Sequence, residues 1–324
     1  MSDPMPRDPK PAASEKAKDK PSTKATSKPS KPRRTRAQRR LLLALAAVVA
    51  LLLVAGVWYV KPYVEGESEY ARVRDIASGE QPEPADGWAP WQPKADEAGQ
   101  PQTPMSRTID WDALRAVNPD VIGWIYVPNT PIDYPVVQAP TDDESKYLHT
   151  TFEGAVAWPN NQGTIYLDAG NIEDGLYSDA PLVYGHYQLN DSMFSEFSKN
   201  YELDHLNGRS DIYVYTPDGN IHIEAFAARK VNARRERVRV SFQDKADLNS
   251  WFRERYERAD AIRYDPGDLD QIWTFVTCSY SDWNDQRTLT YARTVEDTRP
   301  RTQFRHAVEE TVRRAAEARA RLVG

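Results

Sequence analysis

The stretch Gln271-Ile-Trp-Thr-Phe-Val-Thr-Cys278 indicates the fold class of this chain. β-Branched and aromatic residues dominate it, which is typical of a buried strand. A polar run at 279–285 follows at once, so Cys278 is predicted at the junction of a strand and a loop, where a side chain is both held and accessible. Cys278 is the single cysteine among 324 residues, which excludes an internal disulfide and a zinc site of several thiolates.

Further strand signals lie on both sides of this stretch, and the turn Pro217-Asp218-Gly219-Asn220 joins two of them as a hairpin. They cover residues 121–127, 134–138, 163–168, 181–184, 211–216, 221–231, 237–242 and 287–293. Short helices are predicted at 109–118, 143–149, 192–200 and 244–258. About nine strands with few helices predict a mainly β domain, a closed barrel or a sandwich, over residues 108–297. A C-terminal helix is predicted at 298–324.

The N-terminal end has a strong charge asymmetry. Residues 1–40 hold 13 Lys/Arg against 4 Asp/Glu, a net charge of +9, which leaves −15 for the other 284 residues. Residues 41–60 contain neither a charge nor a proline, and their number matches the ~20 that a helix needs to cross a bilayer. We therefore predict a disordered basic cytoplasmic tail over 1–40, a transmembrane signal anchor at 41–60 and a proline-rich extracellular stalk over 61–107.

Two other interpretations of this end compete with the anchor. A cleaved signal peptide is disfavoured because the apolar run is long and no convincing small-residue cleavage site follows it. The basic tail is also compatible with nucleic-acid binding, but beside an apolar span the positive-inside rule explains its charge better. We predict a membrane-anchored protein and no nucleic-acid partner.

Cys278 is the candidate nucleophile. A free thiol has a pKa near ~8.5, so a nucleophilic cysteine needs a neighbouring base or cation. His186, where the strand signal at 181–184 runs into a turn, and Arg287, which begins the strand after the Cys278 loop, are the candidates. Each has an ordinary alternative: a buried inert cysteine, a hydrogen-bonded structural histidine and a surface arginine. Because neither a Gly-rich phosphate loop nor a clustered set of metal ligands is evident, we predict no cofactor and no metal.

Several short motifs follow one another in a fixed order between Asn118 and Arg293. They are the opening 118–138, Gly163-Thr-Ile-Tyr-Leu-Asp168, Tyr184-Gly-His186, Asp191-Ser-Met-Phe194, Thr274-Phe-Val-Thr-Cys278 and the segment that begins at Arg287. In this order they resemble the sortases, membrane-anchored cysteine transpeptidases of Gram-positive cell surfaces, and most closely class B. The chain departs from the family's pattern at Tyr187, where Asn is common, at Phe275, which replaces Leu, and in the length of its C-terminal helix.

The resemblance implies a closed β-barrel of about eight strands with helical insertions, preceded by one transmembrane helix in the plasma membrane. The N-terminus would be cytoplasmic and the catalytic domain on the cell-wall side. Cys278 would attack a carbonyl in the C-terminal sorting signal of a surface protein, His186 would move protons, and Arg287 would bind substrate and stabilise the developing charge. The thioacyl-linked protein would then pass to an amine of a peptidoglycan precursor or of a pilin.

Two alternative functions stay open. In a cysteine protease-like hydrolase, water would resolve the intermediate, although the order His, Cys, Arg differs from the Cys, His, Asn order of papain-like enzymes. The other is an inactive membrane-tethered binding domain on a sortase scaffold, which would need no nucleophile, base and oxyanion-stabilising group together.

Overall fold

The computed structural model describes residues 35–79, 91, 102–157, 162–279 and 285–300. Most of the predicted tail, much of the predicted stalk and residues 301–324 of the predicted C-terminal helix lie outside the described residues. The chain divides into two units, residues 1–53 and residues 54–324.

The first helix, α1 (Arg36–Ser78), contains the apolar run. Its stretch Arg36–Trp58 has 23 residues and a mean hydropathy of 2.8, and none of its most apolar window is buried by the rest of the protein. By length and composition, this stretch can cross a membrane.

The second unit is built mainly from strands. The strands are β1 (Val121–Tyr126), β2 (Asp133–Gln138), β3 (Ile165–Leu167), β4 (Leu182–Tyr184), β5 (Asp211–Thr216), β6 (Gly219–Asn232), β7 (Ala261–Ile262), β8 (Trp273–Cys278) and β9 (Gln286–Asp297). The α-helices are α2 (Trp111–Val117), α3 (Lys146–His149), α4 (Leu203–Asn207) and α5 (Lys245–Tyr256). Short 3₁₀-helices lie at Pro104–Ser106, Ala169–Asn171, Gly175–Tyr177 and Ser195–Lys199.

Eight of these strands close into a barrel, as predicted. They are hydrogen-bonded in the order β5-β1-β2-β3-β4-β8-β9-β6, and a β5–β6 pairing completes the ring, with β7 attached to β6. The β2–β3 and β4–β8 pairs are parallel and the others are antiparallel. The main core includes Trp124, Tyr134 and Phe275. A second cluster joins Leu182, Val276 and Leu289 to α5, so helical structure covers one face of the sheet.

The strand predicted at 237–242 is wrong. These residues are irregular, and Val238, Val240 and Phe242 pack against the cluster that contains α5. Their spacing of two imitates a strand, but the segment forms no ladder because it lies against side chains rather than beside a sheet edge. The helix predicted at 244–258 is α5, which begins where the Asp244 carboxylate accepts a hydrogen bond of 2.8 Å from the Asp247 amide.

The boundary predicted between the stalk and the domain also differs from the structure. The residues up to Ser78 continue α1, and Tyr70, Val73 and Ala77 are buried in the core of the second unit. Their spacing of three and four residues is that of a helix with one apolar face. The folded domain therefore includes helical residues well before 108.

Candidate active site

Cys278 and Arg287 face each other across the β8–β9 pair. Cys278 is the last residue of β8, and the antiparallel register pairs it with Arg287. Directly opposed residues of such a pair project to the same face of the sheet, with Cβ atoms about 4.5–5.5 Å apart. The predicted strand, loop and returning strand therefore bring a thiol and a guanidinium together.

His186 reaches the same end of the barrel through the other neighbour of β8. The parallel β4–β8 register pairs Tyr184 with Val276, and the Gly185 amide donates a 3.1 Å hydrogen bond to the Val276 carbonyl. Two residues after Tyr184 and Val276 come His186, just beyond the end of β4, and Cys278, the last residue of β8. Neighbouring strands lie about 4.8 Å apart. The three predicted residues thus share one end of the strands β4, β8 and β9, and all three are partly exposed.

Gly185 lets the chain leave β4 at this point. A Cβ atom at position 185 would lie 2.4 Å from the Phe194 ring and 2.6 Å from the Ile165 side chain. The tight packing against Phe194 therefore requires a glycine immediately before His186.

The imidazole of His186 is held from one side by the backbone. Its Nε2 lies 2.8 Å from the Leu148 carbonyl oxygen, and because a carbonyl only accepts, Nε2 carries the proton and Nδ1 is left as the basic nitrogen. Burial lowers the pKa of His186; the Leu148 hydrogen bond opposes that shift, and the charges of His149 and Arg287 add to it. The ring is consequently neutral at neutral pH.

Side-chain hydrogen bonds join the adjacent ends of β8 and β9, in addition to the backbone hydrogen bonds of the strand pair. The buried Gln286 amide donates a 2.9 Å hydrogen bond to the Ser279 hydroxyl, and Arg287 Nη1 donates to the Gln286 carbonyl at 3.0 Å. These contacts fix the backbone on both sides of the residues that follow Cys278. The half-buried Arg287 guanidinium carries further N–H donors besides Nη1.

Comparisons with known proteins agree on one family. No protein-family model matches the chain. It is 24% identical to Sortase B of Staphylococcus aureus over 251 residues, which cover 76% of this chain and 93% of that protein. It is 25% identical to Sortase B of Listeria monocytogenes over 166 residues, 51% of this chain and 65% of that protein.

Solved structures point the same way. The Clostridium perfringens sortase B structure matches with a TM-score of 0.51 and 26% identity, and covers 58% of this chain and 100% of its own. In sequence and in fold, the chain is therefore similar to the sortases, and among them most like class B. The Bacillus anthracis sortase B in complex with AAEK1, at 20% identity, has the same fold, with a TM-score of 0.56 over 73% of this chain and 99% of its own.

Two tyrosines that were not predicted as site residues lie on β3 and β4, near the end of the sheet that carries Cys278. Tyr166 of β3 and Tyr184 of β4 are cross-strand partners whose rings stack at 5.1 Å. Burial raises the pKa of both hydroxyls, with smaller contributions from Asp168 to both and from Cys278 to Tyr166. The sequence offered one signal for Tyr184. Alternation along β8 puts Val276 and Cys278 on one face of the sheet, and Tyr184, the partner of Val276 on β4, faces the same way.

The described part of the chain contains no group of three or more His, Cys, Asp or Glu side chains able to hold a metal ion. The side chains that the chain brings to this end are a thiol, an imidazole and a guanidinium.

Proposed function

We propose that this protein is a cysteine transpeptidase that cleaves the C-terminal sorting signal of surface proteins and transfers the upstream protein to an amine. Its relatives support a sortase-type function in general. The observation that carries the specific proposal is the cross-strand pairing of Cys278 with Arg287 at the strand end that His186 shares.

In the first half-reaction, Cys278 is the nucleophile and His186 receives its proton. The Sγ–C bond forms at the carbonyl of the scissile peptide, and the carbonyl oxygen takes up negative charge. When the C–N bond breaks, the proton held on His186 passes to the leaving amine. The product is a thioester between Cys278 and the upstream protein.

In the second half-reaction, an incoming amine attacks the thioester. His186 accepts a proton from the amine nitrogen, a new C–N bond forms, and the Sγ–C bond breaks. The thiolate of Cys278 then takes the proton back from His186. A neutral resting imidazole suits both steps because it must accept a proton before it donates one.

Arg287 is proposed to stabilise the oxyanion of both tetrahedral intermediates. A guanidinium beside the thiol offers several N–H donors in a fixed plane, and such donors act most strongly in a site shielded from water. Its position directly across from Cys278 supports this role.

We also propose the setting of the reaction. Residues 41–60 anchor the protein in the plasma membrane, the basic N-terminal tail is cytoplasmic, and the domain lies on the cell-wall side. The donor substrate is a surface protein with a C-terminal sorting signal, and the acceptor is an amine of a peptidoglycan precursor or of a pilin.

One experiment tests the reaction and the partners together. The full-length protein in detergent is incubated with a panel of sorting-signal peptides and candidate amines, and the products are identified by mass spectrometry. We expect cleavage of one signal class, an amide product with one amine and a thioester adduct on Cys278. The matched Cys278→Ala variant should show no adduct and no product; turnover by that variant would refute the nucleophile assignment.

The same products separate the two alternatives. A hydrolase yields a free carboxylate even with amine present in excess. A binding domain yields neither product, and its cysteine forms no thioester with any peptide of the panel.

A further inference from the structure

The second half of α1 packs beside the backbone segments that hold His186. One segment is the α3–β3 connection, residues 150–164, of which 158–161 lie outside the described residues. The other is the β4 loop, residues 187–194, which follows His186 in the chain. Glu67 of α1 hydrogen-bonds to both segments. Tyr70, one helical turn further along, contacts the first segment directly and the second through Tyr134.

The contact with the α3–β3 connection is a hydrogen bond from the Tyr70 hydroxyl to the Gly163 carbonyl. Gly163 lies directly against the catalytic candidate: a Cβ atom there would be 2.9 Å from Cδ2 and 3.0 Å from Nε2 of His186. Its φ of +54° also favours glycine. Tyr70 therefore holds the piece of backbone that borders the imidazole.

The contact with the β4 loop runs through Tyr134. The Tyr70 ring packs edge-on against the Tyr134 ring at 5.2 Å, and the Tyr134 hydroxyl accepts a 3.2 Å hydrogen bond from the Met193 amide. Met193 has a φ of +56°, an unfavourable conformation for a residue with a side chain. The next amide, that of Phe194, donates to the His186 carbonyl at 2.9 Å.

Glu67 joins the two segments directly. Its Oε1 accepts hydrogen bonds from Gln162 Nε2 at 3.3 Å and from Asn190 Nδ2 at 3.0 Å. One carboxylate thus bridges the end of the α3–β3 connection and the β4 loop.

We propose that Tyr70 is a positioning residue for His186, assisted by Glu67, so that the helical segment before the barrel sets the orientation of the proton-transfer group. The inference rests on the proposed function for its kinetic consequence. The structural part, control of the His186 environment from α1, does not depend on that function.

Tyr70→Phe is the sharpest variant because it removes one hydroxyl and keeps the ring that packs on Tyr134. Without that hydrogen bond, Gly163 moves away from the imidazole and water reaches it. Since burial is the main cause that lowers the His186 pKa, better solvation raises it toward 6.5. A displaced imidazole slows proton transfer but leaves peptide binding intact.

The test uses the full-length protein in detergent, labelled with ¹³C-histidine. The chain has five histidines, and the His186→Gln variant identifies the His186 signal by its absence. For Tyr70→Phe we expect a higher titration midpoint for His186, a kcat lowered roughly 10-fold and an unchanged KM. Glu67→Gln should also raise the titration midpoint of His186 and lower kcat, but by smaller amounts.

The matched control is Tyr215→Phe. Tyr215 is also fully buried, on β5, which lies four strands from β4 around the barrel. This variant should leave the His186 midpoint and kcat as in the wild type, whatever it does to the melting temperature.

An unchanged His186 midpoint in Tyr70→Phe would overturn the inference, even if kcat fell. If the wild-type protein shows no turnover with any peptide, the proposed function fails, and the titration alone then decides the inference: a raised midpoint supports it and an unmoved one refutes it.

Discussion

Two arginines on β9 differ in what surrounds them. Arg287 is the cross-strand partner of Cys278. Arg293 lies six residues further along the strand, about 20 Å away at ~3.3 Å per residue. There its Nε donates to the Tyr264 hydroxyl at 2.9 Å and its Nη2 lies 3.4 Å from the Glu224 carboxylate. One arginine is at the candidate site and the other belongs to a surface cluster.

Replacing each arginine by lysine should therefore have unequal effects. Arg287→Lys should lower the transpeptidation rate about 100-fold, because an ammonium cannot reproduce the planar set of donors toward an oxyanion. Its melting temperature should change little. Arg293→Lys, the matched control, should be nearly silent in the same peptide assay, and the reverse ranking would remove Arg287 from the mechanism.

The depressed pKa of His186 gives the activity a defined pH dependence. The imidazole must be neutral to accept the Cys278 proton, and burial keeps the pKa of His186 below its usual 6.5. Transpeptidation should hold as the pH falls to 6.5 and decline only below it, when the ring becomes protonated. A pH–rate profile of kcat checks this, and an acid midpoint above 6.5 would contradict it.

Stability should follow the same group. Above pH 6.5 the residue is neutral in both the folded and unfolded states and contributes no pH dependence. As the pH falls below 6.5, the unfolded chain binds a proton before the folded one, so the free energy of unfolding decreases until the pH reaches the folded pKa. His186→Gln should abolish this part of the pH dependence in urea titrations. The control is His205→Gln, which changes a second histidine whose pKa is lowered by burial. This variant should leave the acid side of the pH profile of kcat unchanged.

At the scale of elements, a buried ion pair fastens the segment before α2 to β2. Arg107 Nη1 lies 2.6 Å from Asp133 Oδ1, and the Trp124 indole also donates to that oxygen at 2.6 Å. The two ionic side chains are 5% and 3% exposed. The rings of Trp91 and Tyr215 lie over the guanidinium at 5.3 and 5.5 Å. The charge of Arg107 is thus held among aromatic rings with one carboxylate to balance it.

Asp133→Asn should destabilise the domain by about 3–5 kcal/mol, because it leaves the Arg107 charge buried without a counter-ion. Urea unfolding followed by tryptophan fluorescence measures the change. The comparison variant is Asp265→Asn, whose partner Arg253 is at the surface. Asp265→Asn should leave the midpoint of urea unfolding almost unchanged. An equal loss of stability in both variants would show that burial does not make the Arg107–Asp133 pair more important than a surface pair.

At the scale of the whole molecule, the two units differ in kind. The described part of the first is helix with exposed leucines and valines, whereas the second has a core closed by eight strands. The net charge also differs between the two ends of the chain: it is +9 over residues 1–40, before the apolar run, and −15 over the residues after 40. The positive charge on the N-terminal side of the apolar run is the basis of the proposed orientation across a membrane.

That orientation is testable on cells. Protease added to intact protoplasts should digest the chain after Lys61 and spare the first 40 residues, detected with tags at the two ends. The basic residues before the run should decide the outcome, so a variant with five of them changed to glutamine should insert in mixed orientation. These are Arg33, Arg34, Arg36, Arg39 and Arg40. Protection of the domain in the wild type would reverse the proposed topology.

The sequence by itself determined the elements whose type depends on the spacing of apolar residues close together in the chain. The apolar run before Lys61, the strand that ends at Cys278 and the helix of Lys245–Tyr256 follow from local composition and spacing, because burial of one face imposes its period on consecutive residues. The ends of these elements marked Cys278, His186 and Arg287 as candidates for one site.

Only the tertiary structure decided which elements meet. Nothing local distinguishes residues 237–242 from a strand, and the lack of a partner edge made them irregular. The contact of Tyr70 with Gly163 joins residues 93 apart in the chain, and it depends on α1 packing beside the barrel. Such contacts arise when separate apolar faces are buried together, and the pattern of either face alone does not specify its partner.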